Sequence, residues 1–403
     1  MKKNKSLNVN IQLMIRNTNT KICLIVIITI LITSLFYTEN FSCFKATNLD
    51  YWPTEEWVTA EPEEMDMDSK ILLNMDKQIE KLSKNNELSL DSLLIVRNGY
   101  LVKENYYNDY NKSTIHNLFS VTKSIISALV GIAVEEDYLN LSQKMIDFFP
   151  DRTIENIDER KENITIEHLL TMTSGIDWSD TLFLLWLTNE NQVQYVLDRP
   201  MKNNPGEVFN YNTGSTHILS YILQNATGKS TQQYAQEKIF EPLGIKDYSW
   251  DRDNQGIYYG GHGLALNSRD LAKFGFLYLN NGTWEEQQIV SKDWVSKTTQ
   301  LEIVVNNVTD YGHLWWIWTN HSAYMAIGMF GQYIIVFPEY NLVVVLTANT
   351  LAFSGELALI EDYILQSINE YPFKTTEKSI LPLSFILICC TLIYFIKKMI
   401  ITK

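Results

Sequence analysis

Cysteine is absent from residues 46–373 of this 403-residue chain, whose four cysteines are Cys23, Cys43, Cys389 and Cys390. That excludes an internal disulfide framework and a thiolate zinc site over the whole span. The six histidines (His116, His168, His217, His262, His313, His321) show no HExxH or comparable ligand spacing. Metal catalysis is therefore not expected, and no cofactor is implied. A G-x-S-x-G elbow is also missing, which disfavours an α/β-hydrolase. Basic charge is scarce in the middle of the chain. The formal charge is −14 overall, but residues 1–45 carry +5 and residues 374–403 carry +4, leaving −23 over 46–373. A surface that acidic repels phosphate backbones, so nucleic acid is not an expected partner. With 46% hydrophobic and 20% charged residues, a disordered chain is excluded as well.

The positive ends coincide with two long uncharged runs. Ile22–Tyr37 follows Lys2, Lys3, Lys5, Arg16 and Lys21, and Ile380–Ile396 is followed by Lys397, Lys398 and Lys403. Each run is at the short end of what crosses a bilayer core. The flanking basic residues place both termini on the cytoplasmic side and the middle of the chain outside. A cleaved signal peptide is the rival for the first run. Thr38–Ala46 lacks a clean small-x-small site and Cys43 lacks a lipobox, which favours an uncleaved anchor. Three segments are expected: a tail and anchor over 1–45, a globular domain over 46–373, and a transmembrane helix with a basic tail over 374–403.

Within the domain, Ser69–Leu82 has helical amphipathic spacing. Leu93–Val96, the turn Arg97-Asn98-Gly99 and Tyr100–Tyr106 predict a β-hairpin, because Asn-Gly suits a tight turn. Ser120–Asp137 is mostly apolar and reads as a buried helix. Residues 140–260 mix helix and loop, Ser268–Leu279 is helical, and strands return at Tyr324–Ile327, Tyr333–Phe337 and Leu342–Thr347 before a last helix over Gly355–Glu370. Strands early and late with a helical block between them predict an α+β fold, an antiparallel sheet flanked by helices with an inserted helical subdomain.

Ser120-Val121-Thr122-Lys123 is the sharpest chemical feature. A serine hydroxyl needs a base to attack a carbonyl at neutral pH, and a lysine serves if burial keeps it partly neutral. On a helix, positions i and i+3 share a face, so Ser120 and Lys123 can exchange a proton. The helix start adds free N–H groups for a developing oxyanion. S-x-x-K alone is a weak pattern, and Ser42…Lys45 repeats it by chance at the end of the first apolar run.

Phe119–Ile125 resembles the nucleophile motif of the serine β-lactamase and penicillin-binding-protein superfamily. It is most similar to the class C-like hydrolases, which include esterases and 6-aminohexanoate-dimer hydrolases. Other segments agree in order: Ile164–Gly175 resembles the HLLTHTSG stretch, Pro205–Gly214 the PG-x-x-F-x-Y-S-N stretch, Gly260–Leu264 with Ser268–Gly275 the glycine-rich turn and its helix, and Gly328–Pro338 the strand of the third motif. The set covers about residues 69–370. The resemblance implies that Tyr211 is the general base or proton relay beside Ser120 and Lys123, and that the N–H groups of Ser120 and Met329 form an oxyanion hole. Thr213 stands where the family usually has Asn, and Ala326-Ile327-Gly328 takes the place of Lys-Thr-Gly. Thr213, Gly328 and His262 are then candidates to contact substrate, with packing of its own loop the alternative for His262. His168 is expected to be structural, and Tyr311–Trp316 either packs the core or walls an apolar groove. Without the third-motif lysine, esters or small amides are favoured over β-lactams. A D-alanyl-D-alanine peptidase or β-lactamase, and a non-catalytic binding protein on the same fold, are the alternatives.

Overall fold

The computed structural model describes residues Tyr51–Asn306, Thr309–Thr350 and Ser354–Asn369. The two uncharged runs fall outside them. Among the described residues no helix is long and apolar enough to cross a membrane.

The strands are β1 (Leu90–Arg97), β2 (Tyr100–Tyr106), β3 (His116–Asn117), β4 (Tyr248–Trp250), β5 (Leu264–Leu266), β6 (Thr283–Trp284), β7 (Gln287–Gln288), β8 (Asp310–Tyr311), β9 (Trp316–Trp318), β10 (Ala323–Gly328), β11 (Gln332–Phe337) and β12 (Leu342–Ala348). Seven of them form one antiparallel sheet in the order β2-β1-β12-β11-β10-β9-β8. The main helices are α1 (Ser69–Lys84), α2 (Thr122–Glu135), α3 (Asp180–Leu187), α4 (Thr213–Thr227), α5 (Ser268–Leu279) and α6 (Ser354–Leu359). The last continues through a π-type turn over Ile360–Ile364.

The hairpin forms where Asn98-Gly99 predicted it, with Asn98 at φ 53° and Gly99 at φ 87°. The sheet then closes on itself in sequence: β1, from the start of the domain, pairs with β12 from its end, Ile95 opposite Val344. Both faces are covered. Leu94, Val96, Ile334, Val336, Val343 and Val345 point into a core shared with α2, α4 and α5. Their neighbours Leu93, Ile95, Ile335 and Val344 point into a second core shared with α1 and the C-terminal helix. Burial on both faces explains why Leu342–Leu346 is a continuous apolar run with no alternation.

α2 is buried along nearly its whole length, Thr122 to Ala133. Its polar side chains bond inward: Ser124 Oγ donates to the Leu314 carbonyl at 2.8 Å and Ser127 Oγ to the His313 carbonyl at 2.7 Å. These bonds tie α2 to the segment at His313 and Leu314. The helical block between β2 and β8 includes α3 over 180–187 and a short helix Gln192–Leu197. The short strands β8 and β9 extend the sheet beyond the three late strands the sequence predicts.

Candidate active site

Ser120 sits in a 3-10 turn, Phe119–Val121, that leads directly into α2. The preceding residue, Phe119, has φ 46°, an unfavourable conformation for a bulky side chain. Two contacts hold it there. Asn117 Oδ1 accepts from the Phe119 N–H at 3.0 Å, and the Phe119 ring meets Phe330 edge-on at 5.2 Å. Such strain costs on the order of 1–3 kcal/mol and persists only where the surroundings enforce it.

Lys123, one turn along, is 1% exposed. Its Nζ donates to Ser120 Oγ and to the Gly261 carbonyl, each at 2.9 Å. Burial pushes its pKa down to about 7, because an ammonium loses its hydration there while the neutral amine loses little. Among the described residues no carboxylate is paired with it to oppose the shift. A neutral amine that donates to Gly261 keeps its lone pair for the Ser120 proton. Gly261 must be glycine for this contact: a Cβ there would lie 2.5 Å from Thr213 Cγ2 and from Thr216 Oγ1, and 3.2 Å from Lys123 Nζ.

Tyr211 lies on the extended segment before α4. Asn212 caps α4 by accepting from the Ser215 N–H at 3.1 Å, and the Asn210 N–H donates to the Met172 carbonyl at 2.8 Å. The segment resembling HLLTHTSG thus backs the tyrosine. The Tyr211 ring stacks on Trp316, with centroids 5.8 Å apart, and lies 4.9 Å from Lys123 Nζ. Burial raises its pKa to about 12, against a smaller opposing effect of a hydrogen bond with Ser120. The phenol therefore stays protonated at neutral pH. Of base and relay, relay is the role its environment suits.

Thr213, the first residue of α4, is buried beside Gly261. His262 stacks on Tyr259 at 4.2 Å and meets Trp186 and Phe183 edge-on at 5.7 and 6.1 Å. Burial, with Lys123 and His217 nearby, lowers its pKa to about 3, so the ring is neutral. Its Nε2 is buried with no hydrogen-bond partner among the described residues. His168 is structural, as expected: its Nδ1 accepts from the Thr165 N–H at 3.1 Å in a helix cap.

The third-motif strand closes the opposite side. β10 ends at Gly328, where a Cβ would come within 2.2 Å of the Leu118 carbonyl, two residues before Ser120. The strand therefore approaches the Ser120 turn as only glycine permits. Met329 follows, 45% exposed, and its carbonyl accepts from Gln332 Nε2 at 3.1 Å. Residues far apart in sequence, Ser120, Lys123, Tyr211, Thr213, Gly261, His262 and Gly328, are thus brought to one corner. Tyr311 and Trp315 pack the core, whereas Trp316 lies against Tyr211. The Gly261 carbonyl is the partner that sequence reasoning left unnamed, and the glycine doublet at 260–261 was its only signal.

The β-lactamase family profile matches residues 75–367. The chain belongs to the β-lactamase family. Among curated relatives it is 29% identical over 188 residues to protein flp of Staphylococcus aureus (strain MW2), covering 43% of this chain and 37% of that one. The chain thus matches little more than a third of that relative's length. It is 21% identical over 284 residues to the 6-aminohexanoate-dimer hydrolase of Paenarthrobacter ureafaciens, covering 64% of this chain and 72% of that one. Two solved structures share the fold of this family member. EstCE1, a hydrolase with promiscuous acyltransferase activity, superposes with a TM-score of 0.64 at 16% identity, covering 75% of this chain and 99% of that one. The octameric penicillin-binding protein homologue from Pyrococcus abyssi superposes at 0.61 with 21% identity, covering 74% and 78%.

Proposed function

We propose that this family member is a membrane-anchored serine hydrolase that cleaves ester or amide bonds through an acyl-enzyme. Ser120 Oγ attacks the carbonyl carbon and its proton passes to Lys123 Nζ. The N–H groups of Ser120 and Met329 hold the oxyanion. As the tetrahedral intermediate collapses, the proton returns by way of Tyr211 to the leaving oxygen or nitrogen. Water then attacks the acyl carbon, its proton taken by the same pair, and the acid product leaves Ser120 restored. Thr213, Gly328 and His262 line the substrate. The anchors are the uncharged runs 22–37 and 380–396, with the domain outside the cytoplasm.

One observation carries the reading: a buried lysine, held near neutrality by desolvation, 2.9 Å from a serine hydroxyl at the start of a helix. A binding protein has no need of that pairing. A curated relative named 6-aminohexanoate-dimer hydrolase supports a hydrolytic reading. Ala326-Ile327-Gly328 offers no cation to a substrate carboxylate, which favours uncharged acyl groups.

The test is turnover by the detergent-solubilised full chain on p-nitrophenyl esters and anilides. Wild type is expected to hydrolyse at least one series, and Ser120→Ala to lose at least 10³-fold while melting at the same temperature. Equal turnover by the two proteins would sink the proposal. Preferential cleavage of D-alanyl-D-alanine peptides would move the assignment to a peptidase.

A further inference from the structure

Helix α3 is out of character with the net acidic charge of residues 46–373. No charged residue falls between Asp180 and Glu190, and Leu184, Leu185 and Leu187 are 65%, 55% and 37% exposed. Its inner side faces the candidate active site: Trp186 is fully buried, and Trp186 and Phe183 both meet the His262 ring. One short helix thus borders the catalytic corner on one side and offers three leucines to the surroundings on the other. Contiguous exposed apolar surface of this kind marks an interaction site.

The ends of the described chain bear on what covers it. Tyr51 bonds the Gly99 carbonyl at 2.6 Å, and Asn369 bonds the Asp66 carbonyl at 3.0 Å beside Met65, whose carbonyl accepts from Arg97. Both ends therefore leave from the β1–β2 turn. Thirteen residues separate Tyr51 from the run ending at Tyr37, and ten separate Asn369 from the run starting at Ile380. Fully extended, these span at most about 45 and 35 Å. The catalytic end of the sheet lies the length of β1 away, about 26 Å. Either connection is long enough for the domain to lie on its side with α3 against the bilayer.

We infer that α3 docks on the lipid surface through Leu184, Leu185 and Leu187, so that the substrate is an ester or amide of an amphiphile drawn from the bilayer. This rests on the membrane-anchored reading above. Embedding three leucines gains apolar burial with no charge to desolvate. The acidic remainder of the domain stays in water.

The test uses the full chain with Cys23, Cys43, Cys389 and Cys390 replaced by serine, reconstituted in phosphatidylcholine vesicles. An environment-sensitive fluorophore is attached at Leu184→Cys or at Glu80→Cys, the latter on α1 across the sheet. Doxyl-labelled lipids are expected to quench the probe at 184 and to leave that at 80 unchanged. Equal or absent quenching at 184 would overturn the docking. Failure of the chain to stay with vesicles in alkaline carbonate would overturn the anchor beneath it. In parallel, Leu184→Ser/Leu185→Ser should lower hydrolysis of a long-chain ester held in vesicles about tenfold and change that of a soluble short-chain ester less than twofold. An equal fall on both contradicts the inference. If wild type hydrolyses neither ester, the hydrolase reading fails while the quenching still decides the docking.

Discussion

The two sides of the catalytic corner are built differently. On the Ser120 side, Lys123 is 1% exposed and bonded to both Ser120 and Gly261. On the facing side, β10 offers a glycine pressed against the Leu118 carbonyl and an exposed methionine. In the proposed hydrolase the first side sets the proton chemistry, because burial fixes which groups are charged. In the same proposal the second sets what the cleft accepts, because it supplies backbone and shape without charge. On the proposed reading, the contrast teaches that a buried serine–lysine pair can stand in a sequence whose facing strand lacks the Lys-Thr-Gly pattern.

Removing the buried amine should break the first side most completely. Lys123→Met is expected to lower kcat/KM by about 10²–10⁴, the usual contribution of a positioned base. It should not unfold the protein. Lys123 has a folded pKa of about 7, below its ordinary 10.5. The folded state therefore binds fewer protons than the unfolded state between those values. The resulting penalty is complete below pH 7, roughly 5 kcal/mol, and fades as pH rises toward 10.5. Thermal melts of Lys123→Met should thus show stabilisation at pH 6 that is largely gone at pH 10. Equal stabilisation at both pH values would mean that the lysine is not desolvated.

The second side breaks through shape. In Gly328→Ala the new Cβ must displace either β10 or the Leu118–Ser120 turn. A displacement of an ångström at the reacting groups costs about 10²-fold in turnover. The loss should appear with every ester in a panel, since the nucleophile and the oxyanion site move apart together. A loss confined to large acyl groups would instead mark Gly328 as part of the acyl pocket.

Much of this architecture is legible in the sequence alone. The Asn98-Gly99 turn, the start of α1 at Ser69, the bounds of α5 and the three late strands follow from local turn chemistry and periodicity. The short strands β8 and β9 were not legible, since two or three residues such as Trp316–Trp318 carry no period. Helix α3 escaped for a related reason: its leucines recur on the outer face too, so no amphipathic pattern marks it. At the site, Ser120 and Lys123 were readable from their one-turn spacing only together with their place at the opening of a buried helix after a hairpin. Tyr211 needed the family resemblance, because a lone aromatic on a loop carries no local signal. The role of the Gly261 carbonyl and the protonated state of the Tyr211 phenol depend on burial between distant segments, which no window of sequence contains.

The central claim is that burial alone makes Lys123 the base for Ser120. The rate of fluorophosphonate labelling of the full chain, followed by intact mass from pH 5 to pH 9, tests it most directly. The account predicts a single adduct, absent in Ser120→Ala, whose rate rises with pH through a midpoint near 7 as Lys123 loses its proton. His262, with a pKa of about 3, is neutral across that range and contributes no midpoint. A folded wild-type chain that takes up no adduct, or labelling that persists in Ser120→Ala, would contradict it.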